Sequence, residues 1–109
     1  MNIQFKKGAL DLCVMTMLCL RDMYGFELVS AISDDIKISE GAIYPLLKRI
    51  KEEGYVTTYL KESTDGPPRK YYSITAEGRA VKQKMESEWR AFVSGMEKIL
   101  NRGIIEDDL

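Results

Sequence analysis

Apolar positions along the chain change their spacing several times, and each spacing predicts a different element. From Gly8 to Asp22, apolar side chains occur on nearly every side of a helical turn. A helix of this kind is covered on most of its faces, so it lies either at the centre of the domain or partly against a second subunit. Apolar residues between Phe26 and Ile32 predict a short second helix, which ends at a polar turn.

The stretch from Ser39 to Gly54 predicts a third helix with one buried face. Ser39 can cap this helix by accepting a hydrogen bond from a backbone N–H. Aliphatic side chains then recur at i, i+3, i+4 and i+7, at Ile43, Leu46, Leu47 and Ile50. The opposite face is nearly free of bulk and negative charge in its N-terminal half; it carries Gly41, Tyr44, Pro45, Lys48 and Glu52. Two short helices of this kind predict a helix-turn-helix with a recognition helix, although an amphipathic helix that only packs has the same pattern.

Pro45 lies inside the predicted third helix. Local rules predict a break at this position, because proline removes a backbone hydrogen bond and crowds the preceding turn. The aliphatic spacing nevertheless continues in phase across Pro45. One helix, bent or straight, is therefore expected.

The residues after Gly54 predict a β-hairpin. Apolar and polar residues alternate from Tyr55 to Lys61, and the run RKYYSI forms a second strand after the turn-forming run ESTDGPP. Arg69 and Lys70 lie beside the predicted tip, where cations can reach phosphates or a narrow minor groove. A hairpin in this position is typical of a winged helix-turn-helix, and a hairpin with solvated cations is the alternative.

The last predicted helix begins after Thr75 and carries a long apolar stripe. The stripe consists of Val81, Met85, Trp89, Phe92, Met96 and Ile99. It extends about 40 Å along the helix, and a stripe beyond the compact domain needs a partner, of which a second copy is the simplest. We therefore predict a mainly α fold with a small β-hairpin: a winged helix-turn-helix domain at residues 1–74, a dimerisation helix at 75–101 and an acidic tail at 102–109.

Composition favours a cytoplasmic protein without a catalytic centre. The chain has 109 residues, 45% of them apolar and 30% charged, as in a soluble single domain. The apolar run near the start contains Asp11 and is too short to cross a bilayer, and no signal-peptide cleavage pattern follows it. The chain lacks histidine, and Cys13 and Cys19 are expected to be buried structural thiols. We expect no enzyme, metal or cofactor.

The formal net charge of −1 conceals an uneven distribution of charge. Residues 37–70 contain seven Lys or Arg and five Asp or Glu, which gives +2 for this part and −3 for the remainder. Nucleic-acid binding depends on where the positive charge lies, so a mildly acidic chain can still bind DNA.

Five stretches of the sequence resemble the PadR family of bacterial transcriptional regulators. They are KGALDLCVMTML, YGFEL, GAIYPLLKRIKEEGY, GPPRKYYSITAEGR and ESEW, and together they extend over nearly the whole chain. The resemblance implies a homodimer of winged-helix domains that binds an operator with dyad symmetry and usually represses transcription until an effector loosens it. It also implies that residues 39–54 enter the major groove as one helix, including Pro45, and that residues 56–74 form the wing.

The resemblance assigns DNA contacts to residues on the helix and the wing: Ser39, Gly41, Tyr44, Lys48, Arg69 and Lys70. Gly41 would allow close backbone approach, while the Tyr44 hydroxyl and Lys48 would bond phosphate or a base edge. Lys6 and Lys7 are weaker phosphate candidates.

Trp89 is the only tryptophan, and on a dimer helix it would lie near its twin. Such a pair can stack on a planar effector, with Met85, Phe92 and Met96 beside it, or it can anchor the interface without a ligand. The alternative function is a winged helix that docks another protein and binds no DNA.

Overall fold

The computed structural model describes residues 3–107, and the side chains of residues 8–104. This part of the chain contains four helices and three strands, which confirms the predicted fold class. Their bounds are α1 Ile3–Leu20, β1 Met23–Tyr24, α2 Gly25–Ser33, α3 Glu40–Glu52, β2 Val56–Ser63, β3 Gly66–Ile74 and α4 Ala76–Asp107. None of the helices in residues 3–107 is long and apolar enough to cross a membrane.

The core lies between α1, α2, α3 and one face of the sheet. Val14, Leu28, Ile43 and Leu47 have no exposed surface, and each such burial contributes about 1.5–3 kcal/mol. The inner face of α1 is thus central to the domain, while its end is open, with Leu20 72% exposed. Cys13 and Cys19, expected to be buried, are half-buried free thiols, and Cys13 packs against the core.

α3 begins and ends where the sequence predicts. The Ser39 hydroxyl accepts a hydrogen bond from the Ala42 N–H at 3.2 Å, and Gly54 follows the helix with a φ of 83°. The helix continues through Pro45, which confirms the single helix. The carbonyl of Gly41, four residues earlier, is the one that proline leaves without a donor. Gly41 is exposed, so water can bond this carbonyl.

The sheet has three strands in the order β1–β3–β2, and all pairs are antiparallel. The sequence pattern predicted β2 and β3 but not β1, where Met23 pairs with Tyr72 and Tyr24 with Tyr71. The hairpin is also longer than predicted, because β2 extends to Ser63 and β3 begins at Gly66. β3 tolerates its two prolines because β1 does not extend along that part of it.

α4 both covers the domain and extends beyond it. Val81 and Met85 are partly buried against the domain's own core, so the first part of the predicted stripe has cover within the chain. The helix continues to Asp107, and the expected acidic tail is helical as far as that residue. No proline follows Leu100, and Gly103 alone costs only about 1 kcal/mol relative to alanine, so nothing local stops the helix.

Candidate nucleic-acid interface

One face of α3 is exposed and carries the predicted recognition residues. Gly41, Tyr44 and Lys48 lie at spacings of three and four residues, so they follow one another along this face. Lys48 makes no ion pair with any side chain in residues 8–104, which leaves its ammonium group available to a ligand. Ser39 is exposed too, but its hydroxyl already caps the helix. At this surface Ser39 therefore acts by determining where α3 begins.

The Tyr44 ring, 48% exposed, rests against Gly25 at the start of α2. A Cβ atom built on Gly25 would lie 2.7 Å from both the hydroxyl oxygen and the Cε1 atom of Tyr44. Real carbon atoms do not approach this closely, so only glycine permits this position of the ring. No local pattern in the sequence indicates this contact, because the two residues lie on different helices.

Tyr44 and the two predicted wing cations line one cavity of about 370 Å³ between α3 and the wing. The lining consists of Tyr24, Gly25, Tyr44, Arg69, Lys70 and Tyr72. The N-terminal end of α2 contributes Gly25, and helix N-termini carry partial positive charge. Burial, with a smaller effect from Tyr44, raises the pKa of the Tyr72 hydroxyl, so this side chain stays neutral. The cavity therefore combines cationic, hydroxyl and helix-terminal groups, all of which suit an anion.

The two wing cations leave β3 in opposite directions, because successive side chains on a strand alternate. Lys70 shares a face with buried Tyr72, whereas Arg69 shares a face with Tyr71. The guanidinium of Arg69 lies 4.7 Å from the centroid of the Tyr24 ring, which is within cation–π distance. Arg69 thus lines the cavity while its side chain is held in place by the Tyr24 ring.

The outer face of the sheet carries a cluster of tyrosines that the sequence analysis did not detect. The rings of Tyr59 and Tyr71 are stacked at 5.7 Å, and Tyr24 meets Tyr71 edge-on at 5.4 Å. The Tyr59 hydroxyl donates a hydrogen bond of 2.7 Å to Asp22, which raises the pKa of Tyr59. The cluster assembles only because β1 places Tyr24 beside β3, and a two-residue strand has no detectable sequence period.

Arg49, which follows Lys48 on α3, is directed towards α1. Arg49 forms a 2.7 Å ion pair with Asp11 of α1, and this bond raises the pKa of the guanidinium. It therefore joins α1 to α3 and is not free for DNA. The side chains of Lys6 and Lys7 lie outside the described residues.

The distal half of α4 exposes much of the predicted stripe. The Trp89 and Phe92 rings lie 6.3 Å apart, and Phe92 is 51% exposed. Met96 and Ile99 are exposed as well, whereas Val81 and Met85 lie against the domain. The candidate effector residues Trp89, Phe92 and Met96 therefore lie together, while Met85 is closer to the core.

Residues 14–84 match the Transcriptional regulator PadR-like family. The chain belongs to this family. Regulators of the PadR-like family bind DNA, and the matched region contains α2, α3 and the wing. The same family membership confirms the resemblance inferred from the sequence motifs.

Solved structures of PadR-like proteins share the fold over most of their length. A PadR-like transcriptional regulator from Bacillus cereus is 33% identical, with a TM-score of 0.80 over 89% of this chain and 96% of that one. A PadR-like transcription factor from Bacteroides fragilis is 32% identical, with a TM-score of 0.76 over 88% and 94%. An uncharacterized protein of Lysinibacillus sphaericus is 30% identical over 76% of this chain and 80% of its own.

Replacing Gly25 with alanine tests whether the close contact with Tyr44 matters for DNA binding in this PadR-like protein. We expect Gly25→Ala to displace the Tyr44 ring and to weaken DNA binding about tenfold, as the loss of one hydrogen bond does. Fluorescence anisotropy with DNA selected by the parent from a random pool measures the affinity. Thermal unfolding should stay close to the parent, since alanine suits a helix.

The matched control places Gly25→Ala in a Tyr44→Ala background. There the substitution should have no further effect on affinity, because the side chain that it displaces is gone. An equal loss in both backgrounds would show that Gly25 acts through something other than Tyr44.

Proposed function

We propose that this PadR-like protein is a sequence-specific DNA-binding repressor that acts as a homodimer on an inverted-repeat operator and is released by a small-molecule effector. The observation that carries the DNA-binding part is the cavity in which Tyr44 of α3 meets Arg69 and Lys70 of the wing. A helix and a wing that converge on one cationic cavity can both contact the same DNA backbone strand, which separates the major groove from the minor groove.

In this proposal α3 lies in the major groove with its N-terminal half towards the bases. A Cβ built on Gly41 would meet nothing closer than the Ser39 hydroxyl at 3.8 Å, so the protein itself does not require glycine there. Close approach to DNA is a requirement that accounts for it. The cavity takes one backbone phosphate, bonded by the Tyr44 hydroxyl and Lys70 and favoured by the N-terminus of α2. Lys48, further along α3, binds a neighbouring phosphate.

The competing proposal is a winged helix that docks a protein partner and binds no DNA. Salt separates the two, because each phosphate contact releases a counterion and steepens the dependence of affinity on salt. A protein interface centred on half-exposed Tyr44 would respond much less.

Single lysine substitutions test the proposed phosphate contacts. Lys48→Ala and Lys70→Ala should each weaken binding to operator and to unrelated DNA by similar factors, and each should lower the salt slope by about 1. Anisotropy titrations across a salt series measure both quantities. Lys84→Ala removes an exposed lysine from α4 and should bind like the parent. If Lys48→Ala and Lys70→Ala also bind like the parent, the DNA face has been assigned wrongly.

The homodimer is supported by large apolar side chains on α4 that remain exposed to solvent in the single chain. They are Phe92, Met96, Ile99, Leu100 and Ile104. These residues recur at helical spacing over more than three turns, and monomeric proteins rarely expose a continuous apolar stripe of this length. In the proposed dimer, two copies of this half of α4 cover each other and hold the two α3 helices about 34 Å apart, one turn of B-DNA.

A charge within the exposed stripe tests this arrangement. We expect the parent to sediment as a dimer at micromolar concentration and Phe92→Glu to sediment as a monomer with unchanged helical content, because two carboxylates would face each other in an apolar seam. Ser87→Glu places the same charge on the opposite face of α4 and should remain dimeric. A dimeric Phe92→Glu would exclude this seam as the interface.

The effector site is proposed at Trp89, Phe92 and Met96, where flat aromatic surface lies beside an adaptable thioether. An aromatic compound bound between two copies would change the spacing of the paired helices and hence that of the α3 helices. It must bind the loosened dimer more tightly than the operator-fitting dimer, since equal affinity shifts nothing.

Titration with hydroxycinnamic acids and cationic aromatic dyes tests this site. A compound that acts there should quench the fluorescence of the parent, which has one tryptophan per chain, and release it from operator DNA. Trp89→Ala should require at least tenfold more compound for the same release. Equal release of both proteins would make Trp89 an interface anchor and place the effector elsewhere.

A further inference from the structure

The cluster on the outer face of the sheet joins the wing to the segment between α1 and α2. Asp22 bonds the Tyr59 hydroxyl of β2, and Tyr24 lies under the Arg69 guanidinium of β3. Both wing strands are therefore held by a stretch of three residues that follows α1 almost directly. Asp22 and Tyr59 do not line the cavity described above, whereas Tyr24 and Arg69 do.

We propose that Asp22 and Tyr24 are positioning residues for DNA binding, which fix the direction of the wing relative to α3. The proposal rests on the proposed DNA-binding function. It assigns Tyr24 the task of presenting Arg69 to the DNA backbone, and Asp22 the task of anchoring β2 through Tyr59.

The sheet geometry explains why such positioning is needed. β1 pairs with β3 only at Tyr71 and Tyr72, so within residues 3–107 no strand pairs with the part of β3 from Gly66 to Lys70 on that side. β2 and β3 also lose regular pairing between Lys61 and Ser63. A two-stranded ribbon with a free edge twists easily. Contacts on its outer face restrict that twist at the level of Arg69.

The same segment also positions the recognition helix. Tyr24 is followed directly by Gly25, against which the Tyr44 ring of α3 rests. The wing cation and the recognition tyrosine are thus both placed by adjacent residues of one backbone segment. The distance between Arg69 and Tyr44 therefore follows from the geometry of that segment. It does not depend on the rotamers that a free arginine side chain would sample.

The cation–π contact leaves Arg69 able to bind DNA. This contact does not occupy the N–H groups of the guanidinium with hydrogen-bond acceptors, so they can still donate to phosphate oxygens. Its side chain is ordered before binding, so less conformational entropy is lost when the phosphate arrives. Lys61 lies 5.3 Å from the centroid of Tyr71 on the same face and adds positive charge there.

The decisive experiment is a double-mutant cycle between Tyr24 and Arg69, measured as DNA affinity. Tyr24→Leu should weaken binding about two- to fivefold, the range expected for one exposed cation–π contact. In an Arg69→Ala background Tyr24→Leu should have no further effect, because the side chain that Tyr24 positions is absent. Tyr24→Phe keeps the ring, so it should bind DNA about two- to fivefold more tightly than Tyr24→Leu, and this difference should disappear in the Arg69→Ala background.

A second readout requires no DNA. In the parent and in Tyr24→Phe, the ring current should move the NMR signals of the Arg69 δ-methylene protons upfield, and in Tyr24→Leu this shift should disappear. On the other strand, Tyr59→Phe removes only the hydroxyl that Asp22 holds. Tyr59→Phe should weaken DNA binding about as much as Tyr24→Leu does. In the Tyr59→Phe background, Asp22→Asn should cause no further loss of DNA affinity.

Each outcome separates this inference from the proposed function. If the parent binds no DNA, the proposed function fails. If the parent binds DNA but Tyr24→Leu binds equally well, or if Tyr24→Leu weakens binding by the same factor with and without Arg69, then the positioning role is overturned while DNA binding stands. Equal affinity of Tyr24→Phe and Tyr24→Leu would overturn it too, since only the former keeps the ring that contacts Arg69.

Discussion

Two residue pairs join the helix-turn-helix to the wing: Met23 with Tyr72, and Tyr24 with Tyr71. A two-stranded hairpin alone is only marginally stable in water, so the β2–β3 wing depends on what it packs against. The alternation of side chains on β1 and β3 provides two attachments at once. Met23 and Tyr72 are buried in the core, whereas Tyr24 and Tyr71 face outwards and meet edge-on. The direction of the wing is therefore determined from both sides of the sheet.

The chain turns from β1 into α2 without a loop, and this turn determines the shape of the cavity. Gly25 is the first residue of α2, and its missing side chain is the space that the Tyr44 ring occupies. A larger residue would push the ring away from the domain, and the cavity between α3 and the wing would lose one wall. The Glu27 carboxylate accepts a hydrogen bond from the Tyr24 N–H at 3.3 Å, which stabilises this abrupt transition. The proposed anion binding at this site thus depends on local backbone geometry as much as on its cations.

Local sequence patterns were sufficient to predict α3. They were not sufficient to predict the long-range pairing of β1 with β3. The Ser39 cap and the phase of Ile43 through Ile50 are properties of neighbouring residues, so they outweighed the local rule against Pro45. β1 has two residues, which define no period, and its partners lie on a strand formed much later in the chain. The cluster around Tyr24 and the Tyr44–Gly25 contact depend on β1, so both remained hidden. The length of α4 was underestimated because acidic residues suggested a tail, although acidic residues do not themselves end a helix.

The junction between the winged domain and α4 limits how any effector could act. The Thr75 hydroxyl accepts a hydrogen bond from the Gly78 N–H and donates one to the Gly54 carbonyl oxygen. A side chain on Gly78 would overlap the carbonyl oxygen of Tyr55, so the first turn of α4 lies directly on the connection between α3 and β2. A helix held this closely has no hinge at its start. A tilt of α4 by about 10° at Trp89, some 14 residues away, would therefore move the end that joins the domain by about 4 Å, at about 1.5 Å of rise per residue. In the proposed dimer, such a shift would move α3 and the wing together. It would change the distance between the two α3 helices without altering the proposed DNA-binding surface of either subunit.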